Sequence, residues 1–240
     1  MFLSRLESHP GIELLRVYCQ GSGRGLRARV ADLWHRRGWL GLPVLLIGGL
    51  GELVSHLRSP RSAIEIRTAV RRLEELIRVV PDVHDPRVLA EVEDLEPDLG
   101  LIYGGPILRP ELFELPRLGT LGIHHGRMPE YRGKKTTFWE VYNGEEIAGV
   151  TIQRVNAGID TGDIVRSGSV RIGRKGYGRV WRQVQRMGVG LYLDAIIEVG
   201  EATVEPQARP TEKGRLYRDP TTRDLARLWL KQLTRRLAGR

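Results

Sequence analysis

Gly122 to Asp163 reads GIHHGRMPEYRGKKTTFWEVYNGEEIAGVTIQRVNAGIDTGD, and the order of its patterns sets the fold class. It begins inside a short apolar run, Thr120 to His124, that reads as a strand. A helical pattern over Lys134 to Asn143 follows, closed by Gly144, and then Gly149 to Val155 (GVTIQRV) alternates with the period of two of another strand. His124 stands at a strand end, and Asp160 lies in a glycine-containing turn, Asn156 to Asp163, after the next strand. A carboxylate on a sharp loop beside a strand-end imidazole can hydrogen-bond the ring and stabilise its charged form. That pairing suits acid–base chemistry, although a single strand-end histidine is more often structural. His125 has the opposite parity to His124 and is expected to face away from it. Two adjacent strand residues do not make a zinc site.

Outward from this stretch the same rhythm continues. Upstream, Ile12 to Tyr18 reads as a strand, Leu26 to Arg37 and Ala63 to Ile77 as helices, and Ile77 to Val80 as a short strand. Pro86 to Leu95 reads as a helix, and Asp98 to Tyr103 as a strand stopped by Gly104-Gly105-Pro106. Downstream, Ile164 to Ile172 reads as a strand pair or ribbon, Arg179 to Val199 as a long helix, and Thr221 to Leu237 as a basic amphipathic helix entered through Asp219-Pro220-Thr221. Strand and helix in alternation predict an α/β fold, with a mostly parallel sheet flanked by helices. Sites in such sheets form at the carboxyl ends of strands. Gly21, Gly23 and Gly25 follow a strand but lack dinucleotide-loop spacing, so that segment reads as a turn.

Composition narrows the classes. The 240 residues are 41% hydrophobic and 28% charged, the range of one domain or a domain with an extension. A single cysteine, Cys19, excludes an internal disulfide framework and a cysteine zinc cluster; it points to a reducing compartment, with cytoplasm the default. Met1 to Pro10 lacks the apolar core of a signal peptide. The uncharged stretch Gly38 to Gly51 is too short for a membrane span and is broken by Pro43 and the closely placed Gly48, Gly49 and Gly51. The net charge of +9 resides entirely beyond residue 170, where 16 Lys and Arg face 7 Asp and Glu. Such a tail suits an anionic partner or is simply a solvated basic helix.

The motifs I-H-x-x-x-x-P-x-Y-R-G, F-W-x-x-Y-N-G-E-x-x-x-G-V-T-I and G-I-D-T-G-D-I, in this order and spacing, resemble the formyltransferases that use 10-formyltetrahydrofolate. These act on glycinamide ribonucleotide, methionyl-tRNA or sugar nucleotides. The resemblance is close from about Pro97 to Val165 and looser back to about Pro10. It implies a Rossmann-like fold with a catalytic domain over residues 1–175 and a basic, mainly helical extension over 176–240. It also implies formyl transfer to an amine, with no metal. His124 matches the family histidine and Asp160 the family aspartate; their implied task is to stabilise an oxyanion and manage the proton that leaves the attacking amine. The loop after the preceding strand (Gly105, Pro106, Ile107, Leu108) and the facing loop (Asn156, Ala157, Gly158, Ile159) correspond to the segments that hold the folate pterin.

The sequence departs from the family pattern in three places. The family asparagine, two residues before the histidine, is Gly122, and loss of one oxyanion donor costs on the order of 10²–10³ in rate. The family serine two residues after the histidine is Gly126. The start, FLSRLESHPGIEL, resembles the end of the family's first helix, so a strand preceding it is expected. Residues 176–240 do not resemble the β-rich tRNA-engaging domain of methionyl-tRNA formyltransferases, and a small amine acceptor such as a nucleotide-linked sugar is the leading expectation. Two alternatives stand beside it: a formyl-folate-binding relative with lost or hydrolytic activity, and a nucleic-acid or membrane-surface binding protein.

Overall fold

The computed structural model describes residues 2–21, 75–203 and 214–237. The helices expected at 26–37 and 63–74, the glycine turn at 22–25 and the apolar stretch at 38–51 lie outside them. The chain divides into two compact units, residues 1–83 and 84–240. In the first, helix α1 (Phe2–Glu7) buries Leu6, and strands β1 (Val17–Gln20) and β2 (Ile77–Val80) pair in parallel, Val17 opposite Ile77. Strand β1 starts later than the apolar pattern of Ile12 to Tyr18: the Ile12 amide turns back to the His9 carbonyl at 3.1 Å, and the Val17 amide reaches the Leu76 carbonyl at 2.9 Å.

The second unit holds α2 (Pro86–Asp94), β3 (Gly100–Ile102), α3 (Pro110–Phe113), β4 (Thr120–His124), β5 (Tyr131–Gly133), α4 (Thr136–Asn143), β6 (Ile147–Arg154), β7 (Ile164–Arg171), α5 (Tyr177–Gly200), β8 (Arg215–Tyr217) and α6 (Thr222–Leu237). Local signals explain several boundaries. Asp85 caps α2, its carboxylate accepting the Arg87 amide at 2.9 Å, and Pro86 occupies the first turn. Gly144, at φ 80°, ends α4 in the left-handed conformation that glycine adopts without a Cβ penalty.

Strands β3, β4, β6 and β7 form one sheet in that order. β3 and β4 run parallel, whereas β6 is antiparallel to β4 and β7 antiparallel to β6. Among the described residues, parallel pairing still holds in three of the five strand pairs, including β5 with β8. The ribbon expected at 164–172 is corrected to the single strand β7. Its partner is the preceding strand β6, with a register shift between Ile152 and Gln153. Strand β8, inside the extension read as helical, is only three residues long and too short for a visible period.

Helix α5 lies against the sheet and α4 against α5, around a core of Phe138, Val141, Ala148, Val150, Ile172, Val180, Val184 and Leu228. Gly188 permits that approach, since a Cβ there would stand 2.9 Å from Ile123 Cδ1 and 3.0 Å from Val150 Cγ2. Tyr192 is wholly buried beneath β3 and β4; its hydroxyl accepts the Ile102 amide at 3.0 Å and lies 2.7 Å from the Leu121 carbonyl. No helix among the described residues is long and apolar enough to cross a membrane.

Candidate active site

Parallel β3 and β4 end at the same edge of the sheet, and β4 delivers His124 there with 6% of its surface exposed. His124 Nδ1 lies 3.3 Å from Asp160 Oδ1, and Nε2 lies 2.6 Å from the Tyr131 carbonyl oxygen. A neutral imidazole can donate to only one of these acceptors; the protonated ring donates to both. Asp160 takes the left-handed conformation, φ 48°, on the turn after β6, a backbone state that aspartate tolerates better than most residues. Its Oδ2 accepts the Gly133 amide at 2.7 Å, and its Oδ1 accepts Gln153 Nε2 at 3.1 Å. Burial pushes the Asp160 carboxyl upward, but His124 and the donors from Gly133 and Gln153 outweigh it and hold the group below its ordinary value. Asp160 is the more open member of the pair, with 19% of its side chain exposed.

His125 behaves as strand parity requires. It turns to the opposite face and packs under α5, its ring 5.0 Å from Trp181 and 6.0 Å from Tyr103. Burial, reinforced by the charge of His124, lowers it to about 4, so it is a neutral packing group near neutral pH.

Behind the pair stands a polar scaffold. Strand β5 supplies both the Tyr131 carbonyl and the Gly133 amide that bracket His124 and Asp160. Tyr131 is fixed in turn: its hydroxyl donates to Glu145 at 2.7 Å, accepts Asn143 Nδ2 at 3.0 Å, and its ring stacks on Tyr217 of β8 at 5.0 Å. Arg127 closes the group with a 2.6 Å ion pair to Glu145. Beneath it, the fully buried Glu140 accepts the amides of Arg127 (3.0 Å) and Gly149 (3.1 Å). Burial raises Glu140 to about 7 against the opposing pull of those amides and of the Arg127 guanidinium.

Gln153, Gly133 and the Tyr131 carbonyl escaped sequence reasoning. Gln153 alone carried a signal, as a polar residue in an otherwise apolar stretch of β6, where it is 7% exposed. The other two act through backbone groups that every residue possesses.

The expected folate loops are placed as follows. Gly105, Pro106, Ile107 and Leu108 follow β3, at the strand edge His124 shares, and have no hydrogen bond to His124 or Asp160. Among the described residues the main chain of 104–108 keeps its N–H and C=O groups free of internal hydrogen bonds, and Ile107 is 67% exposed. That donor and acceptor set suits the edge of a planar heterocycle. In the other loop Asn156 is a structural staple: its Oδ1 accepts the Gly158 amide (3.0 Å) and the Thr161 hydroxyl (2.8 Å), and its Nδ2 donates to the Thr161 carbonyl. The Ile159 carbonyl accepts Arg132 Nε at 3.0 Å, while Ala157 lies exposed between them. No group of three or more His, Cys, Asp or Glu among the described residues could hold a metal ion.

The two glycines expected to depart from the family pattern sit in crowded positions. A Cβ at Gly122 would lie 3.3 Å from Ile102 Cγ2 and from Val155 Cγ2. A Cβ at Gly126 would lie 2.6 Å from Thr136 Oγ1 and 2.8 Å from His124 Nε2. Gly122→Asn is therefore expected to overpack the site, costing about 1–3 kcal/mol. Adding Val155→Ala should recover part of that loss, so that thermal melts of the double variant exceed the sum of the two single effects. Strict additivity would show that the Val155 methyl does not limit the space.

The structure thus places a buried His–Asp pair at the carboxyl edge of the parallel strands of an α/β sheet, with open loop backbone beside it. The chain belongs to the formyl transferase family, whose model matches residues 58–196, more than half of its length. It is similar to the methionyl-tRNA formyltransferase of Geobacter metallireducens, 40% identical over 92 residues (38% of this chain, 30% of that protein). It is also similar to that of Alkaliphilus oremlandii, 31% identical over 150 residues (61% and 47%). The chain thus spans less than half the length of either. In fold it resembles a sugar N-formyltransferase from a Shewanella species (TM-score 0.54, 18% identity, 90% of this chain and 87% of that one). The same holds for HypX from Aquifex aeolicus in complex with tetrahydrofolic acid (TM-score 0.51, 21% identity, 63% and 28%).

Proposed function

We propose that this protein transfers the formyl group of 10-formyltetrahydrofolate to an amine of a small-molecule acceptor, with a nucleotide-linked sugar the leading candidate. The observation that carries the reading is the 3.3 Å contact between His124 and Asp160 within the family-matched residues. The folate supplies the activated formyl group, and this chain's residues position it and handle protons. Gly105, Pro106, Ile107 and Leu108 offer unpaired backbone groups to the pterin, and the loop Asn156 to Ile159, held in shape by Asn156, faces it. Asp160, the more open member of the pair, takes the proton from the incoming amine as its bond to the formyl carbon forms, and that proton passes to the folate N10 as the formyl–N10 bond breaks and tetrahydrofolate leaves. His124, anchored by the Tyr131 carbonyl, shares its Nδ1 proton with that carboxylate and supplies positive charge where negative charge develops on oxygen. Gly122 leaves the site without a side-chain carboxamide, so turnover below that of an asparagine-bearing site is expected.

A second reading, with methionyl-tRNA as acceptor, draws on the sequence likeness to methionyl-tRNA formyltransferases. The test offers the purified protein 10-formyltetrahydrofolate with an amino-sugar nucleotide, with methionyl-tRNA, or with neither, and follows release of tetrahydrofolate. Acceptor-dependent release with the sugar nucleotide supports the leading reading, and release only with tRNA moves it to the second. Release without any acceptor would mark hydrolysis, and folate binding without consumption would overturn transfer.

A further inference from the structure

Residues 164–193 contain seven Lys and Arg and no Asp or Glu. The fold gathers four of the seven around one cavity. Arg174, Lys175, Arg179 and Arg182, with Gly176, Tyr177, Gly178 and Gln232, line a space of about 490 Å³ between the start of α5 and the face of α6. Among the described residues no acidic side chain lines it. The guanidinium groups of Arg174, Arg179 and Arg182 form no ion pair or hydrogen bond among the described residues, and the Lys175 ammonium donates to the Arg171 carbonyl, at 2.7 Å. Uncompensated like charges crowded together are costly, and natural surfaces usually intersperse acids among them.

Two further features converge on the cavity. The Gln232 carboxamide nitrogen is shut off from solvent and has no hydrogen-bond partner, a buried donor waiting for an acceptor. The 24-residue α5 begins at Gly176 without a side-chain cap and without an acidic residue in its first turn; Arg179 and Val180 donate to the Gly176 carbonyl, while Tyr177 and Gly178, whose amides make no hydrogen bond among the described residues, line the same space. The cavity shares no residue with the His124–Asp160 pair. Moreover, α5 packs on the sheet face of Ile123, Val150 and His125, opposite the face to which His124 belongs.

We propose that this cavity is a binding site for a diphosphate group, separate from the formyl-transfer site. The arginines supply planar, paired donors suited to phosphate oxygens, and Lys175 adds a point charge. Gln232 and the opening amides of α5 complete the set, and the volume suits a ligand of nucleotide size. The half-buried Tyr177 ring at the rim offers a surface for a base, so a nucleoside diphosphate and free pyrophosphate share the same anchoring chemistry and differ at Tyr177.

The experiment titrates the full chain calorimetrically with inorganic pyrophosphate, with uridine and adenosine diphosphates, and with sulfate at matched ionic strength. Pyrophosphate and the nucleotides are expected to bind with one site per chain, sulfate at least about tenfold more weakly. Arg179→Glu with Arg182→Glu should weaken binding by about tenfold or more. The charge-matched change Arg186→Glu with Arg223→Glu, outside the cavity, should leave it within about twofold. Tyr177→Leu should weaken the nucleotides and spare pyrophosphate if the base is engaged; equal affinities before and after assign the site to the diphosphate alone. Absence of binding, equal binding of sulfate, or equal losses in the two charge-reversal variants would overturn the proposal and leave a solvated basic surface. Because the readout is binding, this outcome is independent of whether formyl transfer occurs.

Discussion

Asp160→Asn is expected to lower formyl-transfer turnover by about 10²–10⁴-fold while leaving the fold in place. The carboxylate accepts from three directions: the Gly133 amide on Oδ2, and Gln153 Nε2 with His124 Nδ1 on Oδ1. An asparagine turns one of those oxygens into an NH₂ group. Either orientation sets donor against donor, at Gly133 or at Gln153, and removes the negative charge that balances a protonated His124. His124→Ala is expected to fall in the same range, and the double variant no further, since two residues acting on one proton are not additive. Single-turnover kinetics with saturating folate check this. Unchanged rates in both single variants would remove the pair from the chemistry, and additive losses would separate the two roles.

Glu140→Ala is expected to cost about 3–5 kcal/mol of folding stability, the range for removing one partner of a buried charged contact. The carboxylate is fully buried, it accepts the amides of Arg127 and Gly149, and its Oε1 lies 3.4 Å from Arg127 Nε. Truncation orphans two backbone donors and loosens Arg127, through which the effect reaches Glu145 and Tyr131. Glu140→Gln is expected to be milder, because Oε1 accepts both amides and Oε2 adds only a longer contact, 3.3 Å, to the Gly149 amide.

The same residue imposes a pH dependence of definite sign. Its folded value, about 7, lies above the unfolded value of about 4.3, so the native state holds more protons between them. The contribution is complete below about pH 4.3 and is lost as pH rises through about 7. Denaturant unfolding at pH 5 and pH 8 should show the wild type losing stability on going to the higher pH relative to Glu140→Gln. An equal slope in both would contradict the assignment.

Sequence reasoning reached furthest where structure is local. The bounds of β2 and β4, and the close of α4 at Gly144, matched because an apolar run or a left-handed glycine cap depends only on near neighbours. The opposite facing of His124 and His125 followed from strand parity alone. His124 and Asp160 were legible as a pair through motif order and spacing, and the structure brings them together.

What the amino-acid order determined by itself, then, was the alternation of elements, the family, and the pairing of His124 with Asp160 at the sheet edge. Tertiary structure alone decided the antiparallel direction of β6 and β7, since a period-two pattern records which face a residue takes and is silent on the direction of its neighbour. It decided that β8 pairs with β5 and so stacks Tyr217 on Tyr131. It also decided that a backbone carbonyl and a backbone amide of β5 hold the His124–Asp160 pair, and that Ile102 and Val155 crowd the space above Gly122. These are contacts between segments distant in the chain, made largely through atoms common to all residues, and only the folded sheet brings them into register.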